Sequence, residues 1–291
     1  MIAAAAVALI AAAQPAAKPV TPNDIAAAAP PSAWNAIDPA DLLVIDLKSG
    51  GRVVIQLAPA FAPVHVANIR ALARGRYWTG AAIYRVQDNY VVQWGINRET
   101  GLPAGVVPKP PAEYYRPLAG LSVTPLGSPD QYAPAAGFAA GWPIAYDPAA
   151  GTANLTHCYG YVGVGRDMAP DTGTGGELYA VIGHAPRQLD RNIAIVGRVV
   201  EGIERLTVLP RGTEALGFYK EESQHVPIAQ VTLAADLPAA DRPSFQAMDT
   251  ASATFAAYLR VRANRNDDFY NRPAGGVDLC NVSVPVRKTP A

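Results

Sequence analysis

Apolar and polar residues alternate over 42–48 and again over 52–57. Alternation of this kind is typical of β-strands with one buried face. The segment Ser49-Gly50-Gly51 between the two runs is a tight-turn signal. The pattern therefore predicts a β-hairpin near the start of the folded region.

A helical period follows the hairpin. Pro63 stands where a helix can begin, and Gly75 stands where it can end. One helical face is formed by four apolar residues spaced four, three and four positions apart: Ala62, Val66, Ile69 and Ala73.

Further strand patterns cover 82–86, 90–96, 159–165, 177–182, 193–200 and 229–234. A second helix is predicted over 244–262, with Ser244 as its N-cap. About eight short strands with hairpin spacing and few helices predict a mainly β fold, a closed antiparallel β-barrel.

The organisation of the chain follows from these patterns. The barrel is predicted over 40–240, with a helix and polar tail over 241–291 packed on it. Residues 98–156 are rich in proline, glycine and aromatic residues and have no sustained period. They are interpreted as an insertion without regular structure, packed over the surface by its own aromatic side chains. The Ala- and Pro-rich stretch 14–39 is predicted to be a flexible linker.

The N-terminal residues 1–13 predict a signal peptide. Residues 2–13 are almost all Ala, Val, Leu and Ile, and Ala11-Ala12-Ala13 offers small residues for cleavage before Gln14. The apolar run is too short to span a bilayer, so no stable membrane insertion is expected. A periplasmic or secreted location follows from this interpretation. The alternative is an Ala-rich disordered leader, since the usual basic residues are missing.

The chain has 2 cysteines, Cys158 and Cys280, far apart in the sequence. In an exported protein this even number permits one disulfide, which would tie the C-terminal tail to the main domain. Two buried thiols are the alternative.

Composition and motifs exclude several functions. Lys+Arg and Asp+Glu are both 24, so the net charge is zero and no nucleic-acid partner is expected. The sequence has no P-loop and no Gly-x-Ser-x-Gly elbow. The 4 histidines lack metal-ligand spacing. Neither a metal nor an organic cofactor is implied.

One segment, 83–95, combines an arginine, a tyrosine and a glutamine around a turn. Arg85 and Gln93 fall on the two predicted strands and would face each other across the hairpin. The simpler interpretation is an exposed pair on the edge of a sheet.

The same segment resembles the cyclophilin family of peptidyl-prolyl isomerases. That family has a phenylalanine–histidine–arginine strand, then a turn with phenylalanine, then glutamine–glycine–glycine. The matching parts of this sequence are Tyr84-Arg85, Tyr90 and Gln93-Trp94-Gly95, preceded by 51–57 and 62–72 and followed by 163–166, 170–179, Leu189-Asp190 and 196–202. The resemblance covers about 42–97 and 159–237.

The resemblance implies a cyclophilin-like barrel with capping helices and an activity on X-Pro bonds. Arg85, Gln93 and Tyr90 would be the catalytic residues. The substrate, a proline-containing segment of a client protein, would contact Val91, Gly165, Glu177, Tyr179 and Leu189. Gly165 and Glu177 would meet the residue before the proline. The expected function is an isomerase that assists folding in the periplasm.

Several positions depart from the family pattern: Glu177, Leu178, Tyr179, Gln188, Ile193 and Val196. They make the wall of the proline slot more polar, and Glu177 is expected to pair with Arg85. Weaker or narrower activity is therefore predicted. Two alternatives stay open: a catalytically weak peptide-binding module or chaperone on the same barrel, and a structural envelope protein that uses the insertion and tail as its interface.

Overall fold

Strands and four short to medium helices make up the regular structure of the computed structural model, which describes residues 20–96 and 101–290. The helices of these residues are α1 (Pro22–Ala27), α2 (Pro63–Arg74), α3 (Ile203–Thr207) and α4 (Ala253–Ala263). Their strands are β1 (Trp34–Ala36), β2 (Leu42–Leu47), β3 (Arg52–Leu57), β4 (Ala82–Val86), β5 (Val91–Gly95), β6 (Arg116–Pro117), β7 (Thr124–Pro125), β8 (Ala135–Ala139), β9 (Trp142–Asp147), β10 (Thr152–Leu155), β11 (Tyr161–Val164), β12 (Glu177–Val181), β13 (Ile195–Glu201), β14 (Val226–Leu233), β15 (Phe245–Met248) and β16 (Val286–Lys288).

The predicted eight-stranded barrel is confirmed. It closes in the order β11-β12-β5-β4-β14-β2-β3-β13, and its neighbours pair antiparallel. The alternating residues of the first hairpin, such as Leu43 and Ile55, fill the barrel interior. Helix α2 caps this interior with Val66, Ile69 and Leu72, which are fully buried.

A second layer covers the outside of the first hairpin. Leu42, Val44 and Val54 point away from the barrel interior, yet they are buried because Phe245 and Ala247 of β15 pack on them. β15 lies in the middle of a three-stranded sheet, between β1 and β16. Part of the C-terminal region, β15, therefore packs on the barrel.

The predicted helix over 244–262 is wrong at its start. Residues 245–248 form β15, and α4 begins after Ser252, whose Oγ accepts a hydrogen bond from the amide of Phe255 at 3.0 Å. Pairing on both edges satisfies the backbone of β15, so tertiary contacts override the helical pattern of this segment.

The linker prediction is corrected for the residues that the structure describes. Within 20–39 the chain forms α1 and β1, and Thr21 and Asp24 cap α1 reciprocally. Ile25 and Ala26 pack on a cluster that includes Phe255 and Leu259 of α4. Residues 1–19, including the predicted signal peptide, lie outside the described residues.

The insertion contains a sheet, which corrects the expectation of no regular structure. Its strands pair in the order β6-β10-β9-β8-β7. These strands are short and rich in alanine, glycine and proline, which have low strand propensity, so their sequence carries a weak strand signal. The turn between β8 and β9 is Ala140-Gly141, both with positive φ, instead of the more recognisable Asn-Gly.

The insertion also caps α2. The first turn of α2 has no side-chain cap on its own N-cap residue, Ala62. The carboxylate of Glu113 accepts from the amides of Val64 and His65 at 2.8 and 2.9 Å and contacts His65 Nδ1 at 2.6 Å. A negative charge at this helix terminus also interacts favourably with the helix dipole.

A disulfide joins the barrel region to the C-terminal tail. The structure bonds Cys158 to Cys280 across a sequence separation of 122 residues. Cys158 lies in the cluster of buried residues between the insertion sheet and the barrel.

None of the helices in the described residues is long and apolar enough to cross a membrane.

We predict that the Cys158→Ser, Cys280→Ser double variant loses about 2–5 kcal/mol of unfolding free energy, because the bond restricts a long loop in the unfolded chain. Guanidinium-induced unfolding of the oxidised wild type, the reduced wild type and the double variant measures the loss. Equal midpoints for all three samples, or two titratable thiols in the native wild type, would contradict the prediction.

Candidate active site

A bulge in β4 directs Arg85 out of the barrel. The register of β4 with β5 shifts between Ile83 and Arg85, so that Tyr84 is an extra residue. Ile83 and Val86 are buried in the barrel interior, whereas Tyr84 and Arg85 face outward and are half-buried. Bulges commonly redirect side chains in this way beside functional sites.

The outward residues form a row across the barrel wall. Tyr179 of β12 pairs with Gln93 of β5, and Gln93 pairs with Arg85. Arg85 in turn forms an isolated β-bridge with Phe218. The row therefore runs from an aromatic ring through an amide and a cation to a second aromatic ring.

Internal acceptors hold the guanidinium of Arg85. Nη1 donates to Gln93 Oε1 at 2.9 Å, Nη2 to Gln87 Oε1 at 2.5 Å, and Nε to the carbonyl of Leu216 at 2.7 Å. Because a guanidinium has five N–H groups, each terminal nitrogen keeps a second donor beyond these bonds. Partial burial lowers the pKa of Arg85, and the side chain remains charged at neutral pH.

The predicted ion pair between Glu177 and Arg85 is wrong. Glu177 Oε1 instead accepts a short hydrogen bond from the hydroxyl of Tyr84. Burial, followed by this bond to Glu177, raises the pKa of the Tyr84 phenol. The guanidinium is therefore held by neutral oxygen acceptors, and Glu177 does not neutralise it.

An apolar slot lies beside the cation. Val91, Tyr179 and Val181 form a small buried cluster, on which Tyr90 and Ile193 pack. Gly163 makes room for the ring of Tyr179, because a Cβ there would lie 2.3 Å from the phenol oxygen. The slot opens into a groove of about 420 Å³.

The groove brings together the residues that the sequence singled out for catalysis and substrate binding: Arg85, Tyr90, Val91, Gln93, Gly165, Glu177, Tyr179 and Leu189. One edge of the groove is formed by Gly165, and we call it the Gly165 edge. The absence of a side chain keeps this edge open, because a Cβ there would lie about 3 Å from Glu177 and Gln93. Their roles stay predictions, and their shared position is a fact of the structure.

A buried polar chain supports the slot from below. The Tyr179 hydroxyl is 2.8 Å from His157 Nε2, and His157 Nδ1 is 2.9 Å from Asp190 Oδ1. We assign the proton of the imidazole to Nδ1, which faces the carboxylate, so Nε2 accepts from the phenol. Burial raises the pKa of Tyr179 well above the ordinary tyrosine value.

The polar chain continues into the insertion. Asp190 pairs with Arg187, and Arg187 makes a two-pronged ion pair with Asp130 at 2.9 and 3.0 Å. Arg187 and Asp130 are both nearly inaccessible to solvent. Arg187 lies on the same short 3-10 turn as Leu189, which lines the groove. A carboxylate of the insertion thus helps to position the slot.

Sequence reasoning missed several residues of this arrangement. Asp190 lies in a segment that matched the family pattern but was given no role, His157 and Asp130 lie far from it in the chain, and no local pattern joins the three. Leu216 and Phe218 lie in a loop that carries no strand or motif signal, and both line the groove. The sequence did indicate that the Tyr179 hydroxyl would need a hydrogen-bond partner, because a tyrosine in a buried position requires one. It did not indicate that this partner is His157. Among the described residues, no group of three or more potential ligands is arranged to hold a metal ion.

An apolar slot beside an outward-facing arginine and glutamine on a closed eight-stranded barrel is the arrangement of a cyclophilin-type protein. The family model of "Cyclophilin type peptidyl-prolyl cis-trans isomerase/CLD" matches residues 42–233 of the 291 residues. The chain belongs to this family.

Two curated relatives are described as probable peptidyl-prolyl cis-trans isomerases. The protein of Brucella suis is 25% identical over 185 residues, which are 62% of this chain and 77% of the relative. The protein of Brucella abortus is 24% identical over the same length and shares.

A solved structure shares the fold over nearly the whole chain. Cyclophilin AquaCyp293 from Hirschia baltica has a TM-score of 0.68 and 23% sequence identity, and the match covers 92% of this chain and 97% of that one. The similarity therefore extends beyond the barrel into the insertion and the C-terminal region.

We predict that Asp130→Asn lowers the unfolding free energy by about 1.5–3 kcal/mol, because Arg187 keeps its bond to Asp190 and loses the charge-assisted hydrogen bonding to Asp130 in a buried site. Thermal and denaturant unfolding measure the loss, with Asp268→Asn, at an exposed aspartate of the tail, as the matched control. The proposed support of the slot is refuted if the two variants are equally stable.

We also predict that the protein loses stability as the pH rises above about 10, the ordinary tyrosine pKa. Burial raises the folded-state pKa values of Tyr84, Tyr90 and Tyr179. The stabilisation is complete below the unfolded-state value and is lost as the pH rises through the folded-state values. Unfolding at a series of pH values and the ultraviolet spectrum of tyrosinate measure the effect. Tyr179→Phe is expected to flatten the slope, and an unchanged slope in this variant would contradict our account of Tyr179.

Proposed function

We propose that this isomerase acts on X-Pro bonds of client polypeptides during folding in the periplasm, with Arg85 as its principal catalytic group. The observation that carries the proposal is a cation, held at three nitrogens, at the edge of an apolar slot with Val91 and Tyr179 in its wall. Family membership supports the reaction class, and the geometry of the groove supports the roles of its residues.

The reaction requires stabilisation of a twisted amide and no covalent chemistry. Rotation about the X-Pro bond crosses a barrier of about 18–20 kcal/mol, because the amide loses its resonance. A catalyst must therefore bind the twisted amide more tightly than either planar form. When resonance is lost, the prolyl nitrogen regains its lone pair, and a nearby positive charge with N–H donors stabilises it.

Arg85 meets this requirement through the second N–H groups of its terminal nitrogens. Gln93 fixes the guanidinium through Oε1, while its Nε2 lies on the side of Gly165. From there Gln93 contacts the backbone of the residue before the proline. Because both strands belong to the closed barrel, the two groups are positioned before the substrate binds, and little reorganisation is required.

The slot gives the proline ring an apolar surface. Val91 and Tyr179 form its buried wall, and Tyr90, Leu189 and Ile193 complete it. Since the Tyr179 hydroxyl is bonded to His157, the ring presents its apolar face to the proline. The slot wall departs from the family pattern, and the guanidinium of Arg85 is already bonded within the protein. Both features support an isomerase activity that is weaker or narrower than that of a protein with the family's usual residues.

A peptide-binding chaperone is the second candidate. The observation in its favour is the bonding of all three guanidinium nitrogens within the protein, which lowers the donor capacity available to a twisted amide. In this case the groove would retain affinity for proline-containing segments and show little turnover.

The periplasmic location has separate support. The disulfide between Cys158 and Cys280 fits an oxidising compartment, and the apolar run over 2–13 fits an export signal. Cell fractionation of the native host, with N-terminal sequencing of the mature protein, tests the location. A reduced protein that keeps Met1 in the cytoplasmic fraction would overturn it.

We predict that Arg85→Ala reduces kcat/KM by about a hundredfold or more, because a preorganised donor to the transition state is lost. Arg85→Lys is expected to restore only part of the activity, since lysine keeps the charge and lacks the planar fork. NMR exchange spectroscopy on X-Pro peptides measures the rates without a coupled protease.

The matched control is Arg272→Ala, at an exposed arginine of the tail, which should retain wild-type rates. Full activity of Arg85→Ala would overturn the assignment of Arg85. A folded wild type that binds the peptides and isomerises none of them would establish the chaperone alternative.

A further inference from the structure

The row of groove residues continues beyond Arg85 onto the loop that precedes β14. The amide of Tyr219 donates to the carbonyl of Tyr84 at 3.0 Å, and the amide of Gly212 donates to the carbonyl of Val86 at 2.9 Å. With the bridge between Arg85 and Phe218, these bonds fix the loop along β4. The loop thereby adds Leu216 and Phe218 to the groove wall, and we call this pair the apolar ledge.

Both residues of the apolar ledge are accessible to a ligand. Leu216 is 64% exposed and Phe218 is 37% exposed. A single exposed apolar residue is common on protein surfaces and carries no argument alone. Here the two residues lie together, next to the guanidinium, and both line the groove that contains the slot.

The backbone at Leu216 has an unusual conformation, and a hydrogen bond from Arg85 holds its carbonyl in place. Its φ of 59° lies in the left-handed region, which is unfavourable for a leucine. The conformation turns its carbonyl toward Arg85 Nε. The next residue, Gly217, lies so close to Gln87 that a Cβ would be 2.5 Å from Gln87 Cα. Strained residues of this kind concentrate at functional sites.

Phe218 packs against two neighbouring side chains of β4. Its ring stacks on Tyr84 with centroids 6.0 Å apart and an interplanar angle of 14°. The guanidinium of Arg85 lies 5.4 Å from the ring centroid. A surface that is fixed before binding loses little conformational entropy when a ligand side chain packs on it.

The apolar ledge and the Gly165 edge lie on opposite sides of Arg85 and Gln93. The charged residues of the groove other than Arg85 are Arg166 and Asp167, which follow Gly165, and Glu177, whose carbonyl accepts from the Gly165 amide. A peptide that places the residue before the proline at Gly165 and the ring in the slot leaves past Arg85. A peptide that continues in this direction would place its next side chain over the apolar ledge.

We propose that Leu216 and Phe218 form a specificity subsite for a large apolar side chain on the residue that follows the proline. The proposal rests on the proposed isomerase function and names the substrate class: client segments with leucine, phenylalanine or a similar residue directly after proline. A polar uncharged side chain at this position would lose hydration against the apolar ledge without gaining a partner from Leu216 or Phe218.

The test uses peptides Gly-Ala-Pro-Z-Gly, in which Z is Leu, Phe, Ala, Ser or Asp, and the oxidised full-length wild type. NMR exchange spectroscopy gives kcat/KM, and peptide titration gives Kd. We expect the Leu and Phe peptides to be preferred over the Ser peptide by about tenfold in kcat/KM, the range expected for one apolar contact. A second panel, with the residue before proline varied in the same way, should show a smaller spread.

Leu216→Asn is the principal variant, because asparagine adopts the left-handed conformation readily and removes the apolar side chain. It should reduce the ratio of the Leu to the Ser peptide toward one. The matched control is Val208→Asn, which changes a valine that is 77% exposed and lies outside the groove residues. It should keep the wild-type ratio.

The outcomes separate this proposal from the isomerase function. A wild type that isomerises all five peptides equally retains the function and overturns the subsite. Preference at the residue before proline, or a ratio unaltered in Leu216→Asn, also overturns it. If no peptide is isomerised, the isomerase function fails and the Kd values test the subsite. The subsite is supported if the wild type binds the Leu peptide more tightly than the others and Leu216→Asn abolishes this preference. Equal Kd values for all peptides overturn it.

Discussion

The register of β4 against β5 determines the chemistry of the groove. Strict alternation along β4 would place Ile83 and Arg85 on the same face, inside the barrel. The extra residue at Tyr84 separates them, so Ile83 stays in the core and Arg85 reaches the outer surface opposite Gln93. A guanidinium inside this core would have to give up its hydration without an acidic partner, a penalty of several kcal/mol. The buried face therefore specifies the register strongly.

Once Arg85 faces outward, its surroundings arise from residues far away in the chain. Leu216 contributes its carbonyl from a sequence distance of 131 residues. Asp130 lies 57 residues from its partner Arg187. The closed barrel brings these segments together: the loop before β14 adds Leu216 and Phe218 to the groove, and the insertion supports the slot from below through Asp130.

The distinction between local and distant contacts explains what the sequence could predict. Hairpin alternation over 42–57 and the helical period after Pro63 are local signals, and they placed β2, β3 and α2 correctly. The resemblance supplied Arg85, Gln93 and the slot residues, because each lies in a short segment, such as 83–95 or 170–179, that matches the family pattern locally. The insertion sheet had weak strand propensity, and β15 forms only because β1 and β16 pair with it. The polar chain below Tyr179 has no local pattern at all, so only the fold could reveal it.

The polar chain also changes the meaning of the altered slot wall. A phenol in place of a phenyl ring would be unfavourable in a buried wall if its hydroxyl had no partner. His157 supplies the acceptor, Asp190 orients His157, Arg187 compensates the buried carboxylate of Asp190, and Asp130 fixes the position of Arg187. Tyr179 is thus one member of a coupled set that reaches into the insertion. Because these groups depend on one another, a change at one of them is expected to require changes at the others. The insertion therefore helps to support the slot. The tyrosine at position 179, which departs from the family pattern, is connected to the insertion through the same polar chain.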